Sequence, residues 1–216
     1  MIIYHGSPEI VKTPELKKGK KYNDYGQGFY CTKELEIAKE WAVTEGMDGY
    51  VNKYKIDVNK LKTLNLSDKK YSILHWLTLL VQNRELRSMM PIMRSAKDWL
   101  NANYSIDIAE YDVIVGYRAD DSYFSFARDF LNNTISIEQL SYAMHLGKLG
   151  EQFVLKSEKA FENIEFAEVI PVKSVEYYPR RKERDEKARN AYLIEMEKNP
   201  LSGTFIQDLI RGEVKL

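Results

Sequence analysis

The stretch Tyr111-Asp112-Val113-Ile114-Val115-Gly116 constrains the fold most, because a continuous run of β-branched apolar residues reads as a buried strand. Further strand signals surround it. Ile2, Ile3 and Tyr4 form a short strand expected to stop at the turn Gly6-Ser7-Pro8, and Gly28 to Thr32 form a second. Tyr50 to Asp57 follow, with Tyr50, Tyr54 and Ile56 on one face and Val51 on the other; Gln152 to Leu155 and Ile164 to Val172 complete the set.

Helical spacing fills the gaps. Thr32 is the expected N-cap of a helix with Glu34 and Glu36 in its first turn and Leu35, Ala38, Trp41 and Ala42 on one side. Ile73, Leu74, Leu77, Leu80 and Val81 keep helical phase, as do Ile92, Ala96, Trp99 and Leu100 behind Pro91 at a first helical position. Phe124, Ala127, Phe130 and Leu131 mark another helix, and Ser136-Ile137-Glu138-Gln139 has capping-box spacing ahead of the next. A short helix is expected from Ser157 to Phe161. In the charged tail from Arg180 to Lys198, a stripe of Ala188, Tyr192, Leu193 and Met196 predicts a helix lying on the body or on a partner. Strands, a helical insertion, more strands and then helices make an α+β domain.

Composition sets the function classes. With 216 residues, 44% hydrophobic and 30% charged, the chain can bury a real core. Lys plus Arg balances Asp plus Glu at 32 each, so overall charge favours neither nucleic acid nor an anionic membrane, and such a partner would need a local patch. Cys31 is the single cysteine, which excludes an internal disulfide and fits a reducing compartment; within Gly-Phe-Tyr-Cys-Thr it reads as a small strand residue. The start Met1-Ile2-Ile3-Tyr4-His5-Gly6 lacks a basic region before an apolar stretch, so no leader peptide, no membrane span and a cytoplasmic location are expected. No Cys/His cluster has zinc spacing, and His75 and His145 read as helix residues rather than ligands. Arg180-Arg181-Lys182-Glu183-Arg184 reads as a solvated helix face.

Three segments combine residue types that carry chemistry. In Tyr4-His5-Gly6-Ser7, a His beside a Gly offers an imidazole and an unobstructed backbone N–H and C=O, suited to a flat carboxamide, with ring and hydroxyl near ribose oxygens. Tyr25-Gly26-Gln27-Gly28-Phe29-Tyr30 lacks the third Gly of a dinucleotide fingerprint, but with Trp41 it supplies two rings that would sandwich a cationic heteroaromatic. Gly150-Glu151-Gln152-Phe153-Val154-Leu155 sets a carboxylate and an amide at the start of a strand. The plain alternatives are a strand-end turn, core aromatics and solvent-facing polar groups.

Together these segments resemble the ADP-ribosyltransferase superfamily, in the branch of diphtheria toxin and the poly(ADP-ribose) polymerases. His5-Gly6-Ser7 matches that branch's His-Gly-(Ser/Thr) element. Gly26, Gly28, Phe29 and Tyr30 match its Gly-(any)-Gly-(Ile/Phe)-Tyr strand, and Trp41 falls where a second stacking aromatic is expected. The nearest likeness is to a bacterial family of uncharacterised domains with Tyr-His-Gly-Ser, Asp-(Tyr/Phe)-Gly-(any)-Gly-Phe-Tyr, Gly-Tyr-Arg-Ala-Asp-Asp and a late Gln-bearing strand, over the chain up to about Val172. The departure lies in the late strand. Setting Gln152-Phe153-Val154-Leu155 against Glu-Tyr-Ile-Val puts Gln152 at the catalytic Glu position, and a one-residue slip would put Glu151 there; apolar alternation favours Gln152.

The resemblance implies a split β-sheet core within a domain of residues 1–178, to which helical spacing adds an insertion at about 68–104 and a charged helical extension over 179–216. It implies NAD+ as co-substrate and no metal. Gly6 would anchor the carboxamide, His5 and Ser7 would hold ribose hydroxyls, and Tyr30 and Trp41 would stack on nicotinamide beside Gly28 and Phe29. Gln152 or Glu151 would face C1′, and Arg118, Asp120 and Asp121 would flank the cleft, an Asp activating the acceptor or merely pairing within its loop. The implied activity is ADP-ribosyl transfer to a protein or nucleic acid, as in a toxin with an antitoxin or inhibitor partner. An NAD+ glycohydrolase and an inactive NAD+ or ADP-ribose binding module are the rivals.

Overall fold

The computed structural model of the chain describes residues 1–86, 89–119, 121–198 and 200–214, with the backbone alone for Asp121, Ser122 and Gly147. The fold is α+β. Strands β1 (Ile2–Ser7), β2 (Phe29–Thr32), β3 (Gly49–Ile56), β4 (Thr63–Asn65), β5 (Val113–Tyr117), β6 (Glu151–Leu155) and β7 (Ile164–Val172) make one seven-stranded mixed sheet in the order β4-β5-β6-β2-β1-β3-β7. β4 and β5 run parallel, and the other neighbours are antiparallel. The helices among the described residues are α1 (Leu35–Ala42), α2 (Ile73–Asn83), α3 (Pro91–Tyr104), α4 (Asp121–Leu131), α5 (Ile137–Ala143), α6 (Glu158–Glu162), α7 (Ser174–Lys198) and α8 (Ile206–Arg211).

Strand alternation sorts the core. Val113, Val115, Phe153 and Leu155 join Ile3, Cys31 and Tyr54 on one face of the sheet. On the other, Ile114 and Val154 meet Leu74, Leu77 and Leu80 of α2 and Phe126 and Phe130 of α4. The 111–116 run is therefore covered on both faces, as its composition requires. Burial pushes the Cys31 thiol pKa well up, so the residue packs as a small apolar group.

The sheet is weakest at its middle. β1 and β2 share one register pair, Tyr4↔Thr32, whereas β1 pairs with β3 through six residues from Ile2↔Lys55 to Ser7↔Tyr50. β1 thus runs on through His5, Gly6 and Ser7 instead of turning at Gly6, because β3 supplies hydrogen-bond partners that far. Beyond Tyr4 the two central strands part. Helix α1 covers this region, and Gly6 allows its approach. A Cβ there would lie 2.1 Å from the Ala38 carbonyl oxygen and 2.8 Å from the Ala42 nitrogen. Gly6→Ala is therefore expected to destabilise the fold by at least about 1–3 kcal/mol, read as a lower urea midpoint; an unchanged midpoint would mean that α1 sits farther from β1.

Local signals set several boundaries. Ser136 caps α5, accepting from the Gln139 backbone N–H at 3.3 Å while Gln139 Oε1 accepts from Ser136 N–H at 2.9 Å. Thr32 does not cap α1: its hydroxyl accepts from Glu34 N–H, and Glu34 holds the cap position. β4 was not anticipated, since Thr63-Leu64-Asn65 is too short for an alternating pattern. It makes the α2–α3 insertion a crossover between two parallel strands.

The expected boundary at residue 178 falls inside α7, which runs through Pro179. Ala188 and Tyr192 bury against the body, with the Tyr192 ring 4.0 Å from that of Phe126 and its hydroxyl 2.6 Å from Asp129. Leu193 is 55% exposed and leaves the predicted stripe. Among the described residues no helix is long and apolar enough to cross a membrane.

Candidate functional site

The cleft opens where β1 and β2 part. It has a volume of about 460 Å³ and takes His5 and Gly6 from β1, Tyr30 from β2, Trp41 from α1, Arg118 from the end of β5 and Gln152 from β6. Six expected residues, more than 140 positions apart at the extremes, thus share one crevice. Asn23, Asp24, Arg84 and Arg181 also line it.

His5 stands at the split. Its Nδ1 is 2.7 Å from the Tyr30 carbonyl oxygen, which can only accept, so Nδ1 carries the proton and Nε2 is left as an acceptor. Its ring rests on Phe29 at 4.4 Å. Burial lowers the His5 pKa, and the bond to the Tyr30 carbonyl offsets this in part. Because the folded value lies below the ordinary 6.5, the unfolded chain protonates first as pH falls. This stability contribution is complete above about pH 6.5 and drains away below it. Thermal melts between pH 7.5 and 5.5 should show a smaller loss for His5→Gln than for the wild type, measured in a His75→Gln background because burial lowers His75 too. Equal losses would discard this account.

Tyr30 is held at its tip: its hydroxyl donates to the Gly26 carbonyl at 2.6 Å and accepts from Tyr25 N–H at 3.0 Å. Gly26 has φ +71°, the left-handed conformation that closes this turn. Lys156 Nζ clamps the same turn through the carbonyls of Tyr25 and Gln27, both at 2.6 Å, and its burial lowers its pKa. The Tyr25 hydroxyl reaches across to the Tyr117 carbonyl at 2.7 Å, tying the loop to β5.

The floor is a charged network built on Asp24, whose relative exposure is only 1%. Its Oδ1 accepts from Arg84 Nε at 2.8 Å, and its Oδ2 accepts from Ala119 N–H at 2.9 Å and from Gln152 Nε2 at 3.0 Å. Arg84 also donates to the Ala119 carbonyl at 2.6 Å. A carboxylate so bonded only accepts, so it fixes the Gln152 amide with its NH2 inward and its carbonyl oxygen turned away. That oxygen is buried and meets no donor among the described residues. Trp41 Nε1 is likewise buried without an acceptor among them. One orphaned acceptor and one orphaned donor belong to residues lining the same cleft, and a ligand bearing hydroxyl and amide groups would complete both. Asp24 and Arg84 escaped the sequence reading; the available signal was the acid directly ahead of Tyr25-Gly26.

Other expected residues lie elsewhere. Glu151 is one step out of phase with Gln152, lines grooves on the Ser67 and Glu34 side, and bonds Ser67. It does not line the cleft with His5 and Tyr30, because neighbouring strand side chains point to opposite faces. Ser7 is not among the cleft-lining residues, and its hydroxyl accepts from Glu9 N–H at 3.1 Å. Gly28 and Phe29 line an adjoining pocket of about 270 Å³ that shares His5 and Tyr30 with the cleft. One face of the Trp41 ring carries the Arg118 guanidinium at 3.9 Å, so a sandwich there would use the opposite face only. Asp120 and the side chain of Asp121 lie outside the described residues. His75 packs between Tyr71 and Tyr104 on α2, and His145 Nδ1 donates to the Ser141 carbonyl. Among the described residues no group of His, Cys, Asp or Glu could hold a metal ion.

With an α+β fold and a polar cleft at the split of its sheet, the chain can be compared with known proteins. The model of the family described as a protein of unknown function (DUF3990) matches residues 1–166, and the chain belongs to that family. No curated protein and no solved structure matches it.

Proposed function

We propose that the protein is an NAD+-dependent ADP-ribosyltransferase with the split-sheet core of that superfamily. The observation that carries this reading is the cleft itself: the three segments that resemble the superfamily meet at one gap in the sheet, over the buried and unpartnered Gln152 Oε1. In this reading the Gly6 backbone receives the carboxamide, and His5 Nε2 accepts from a ribose hydroxyl. Tyr30 holds one side of the nicotinamide.

The bond broken joins C1′ of the ribose to the pyridinium nitrogen. Its electron pair leaves with nicotinamide, which departs neutral, and positive charge grows on C1′ and the ring oxygen. Gln152 Oε1 turns the negative end of a fixed dipole toward that charge. A nucleophilic oxygen or nitrogen of the acceptor then bonds C1′ and gives up its proton to water. An amide cannot take this proton. Cleavage is thus assisted through electrostatics and leaving-group orientation, with a macromolecule as acceptor and, as in toxin pairs, an inhibitor protein as a natural partner.

The amide at position 152 also favours a second reading, a module that binds NAD+ or ADP-ribose without turnover. Pure protein incubated with labelled NAD+ and a cell extract separates the cases. Label on a macromolecule supports transfer, and free ADP-ribose alone supports hydrolysis. Neither, with retained binding, supports the module.

A further inference from the structure

We infer that helix α7 is part of the binding site, its Arg181 and the Lys20 of the β1–β2 loop gripping a diphosphate in the cleft. The inference rests on the NAD+ reading for the identity of the ligand, while the cation pair can be tested apart from it.

Among the described residues, four cationic side chains line the cleft, Lys20, Arg84, Arg118 and Arg181, against one carboxylate, Asp24. The roles of three of these five are already fixed. Arg84 and Asp24 neutralise each other at 2.7 Å, and Arg118 lies on Trp41 and has a further partner. Lys20 and Arg181 differ: neither side chain forms a hydrogen bond or an ion pair with any other described residue. Two cations without a counter-charge among the described residues thus reach one cleft from separate elements, a loop and a helix. The orphaned acceptor and donor belong to Gln152 and Trp41, two residues that line the same cleft. Such a site fits a ligand that is polar in its body and anionic in its link, and the diphosphate of a dinucleotide has that form.

The placement of Arg181 is built rather than incidental. Arg184, one turn on, is bonded to Glu40 of α1 through Nε at 2.8 Å and Nη2 at 2.5 Å, with both side chains largely buried. One turn back, Tyr177 packs in the Ala38–Val51 cluster, its hydroxyl 3.0 Å from Lys39 Nζ and 3.2 Å from a Glu36 oxygen. Arg180 pairs with Glu36 and Glu176. These contacts fix the rotation of α7, and successive helix positions differ by about 100°. The residue after Arg180 is thereby aimed off the acidic side of α1 and into the cleft. Arg181 lies beyond residues 1–166, so this part of the site is outside the segment shared with the family.

Calorimetric titration with inorganic pyrophosphate, ADP-ribose and nicotinamide riboside tests the inference. Arg181→Ala and Lys20→Ala should each bind pyrophosphate and ADP-ribose roughly 10- to 100-fold more weakly than the wild type, the range for a lost charged hydrogen bond. Nicotinamide riboside, which has no phosphate, should bind unchanged. Arg181→Lys should recover part of the loss, and Lys182→Ala, with the neighbouring charge removed, should lose nothing. Equal binding of pyrophosphate by wild type and Arg181→Ala, or none by the wild type, would overturn the inference. Pyrophosphate binding that depends on Arg181 in a protein that ignores NAD+ and ADP-ribose would uphold the cation pair and remove the NAD+ reading instead.

Discussion

Asp24→Ala should lower the unfolding free energy by about 3–5 kcal/mol, the usual result of stripping the partner from a buried charge. Arg84, with 22% of its side chain exposed, would keep its charge beside an apolar gap, and the Ala119 N–H and Gln152 Nε2 would lose their shared acceptor. Arg84→Met should cost comparably, because it strands the carboxylate. The double variant should be less damaged than the sum of the two, since the second change removes the group that the first left unpaired. Urea denaturation of the four proteins measures this. Strictly additive losses would show that the two side chains do not stabilise each other through one network.

On the proposed transferase reading, Gln152→Ala should cut the transfer rate by about 10²–10³, the usual cost of removing one fixed dipole from a developing charge, while changing NAD+ affinity far less. In that reading the effect should fall on kcat, since the carbonyl would face a charge present only during bond cleavage. Gln152→Glu is the sharper comparison. It would set a second carboxylate about 3.0 Å from Asp24 Oδ2, where the amide now donates. Two carboxylates that close share a proton rather than both ionising. The variant should therefore titrate as a pair with one strongly raised pKa, visible by carbon NMR of labelled side chains, and should be less stable at pH 8 than at pH 5. The same contact accounts for Gln at position 152: with Asp24 buried beneath it, an amide can donate to the carboxylate and a second carboxylate cannot. A Gln152→Glu protein as stable as the wild type at pH 8 would refute that explanation.

His5 and Gly6 were legible in sequence as a pair, yet their setting was not. The residues after Tyr4 read as a turn, because Gly and Pro punctuate the chain there, and only β3 as a partner keeps the strand going to Ser7. Strand phase separates Gln152 from Glu151 in the sequence, and β6 sets them opposite Gly116 and Tyr117 of β5. Trp41 lines the cleft, and nothing in its sequence neighbourhood reveals that Arg118 covers one face of the ring.

Taken alone, the sequence determined whatever depends on a few consecutive residues: the strand phase of β5 and β6, the capping box at Ser136, the helical stripes of α2 and α3, and the three motif segments. Those signals are local, because backbone geometry imposes its period of two or 3.6 within a handful of residues. Tertiary structure alone decided which charges meet. Asp24 finds Arg84 and Gln152 across 60 and 128 positions, Arg184 finds Glu40 across 144, and Arg181 reaches the cleft because that contact, with those of Tyr177 and Arg180, fixes the rotation of α7. Ion pairs and orphaned polar atoms follow from distance in space and loss of solvent, and neither exists until the chain has closed on itself.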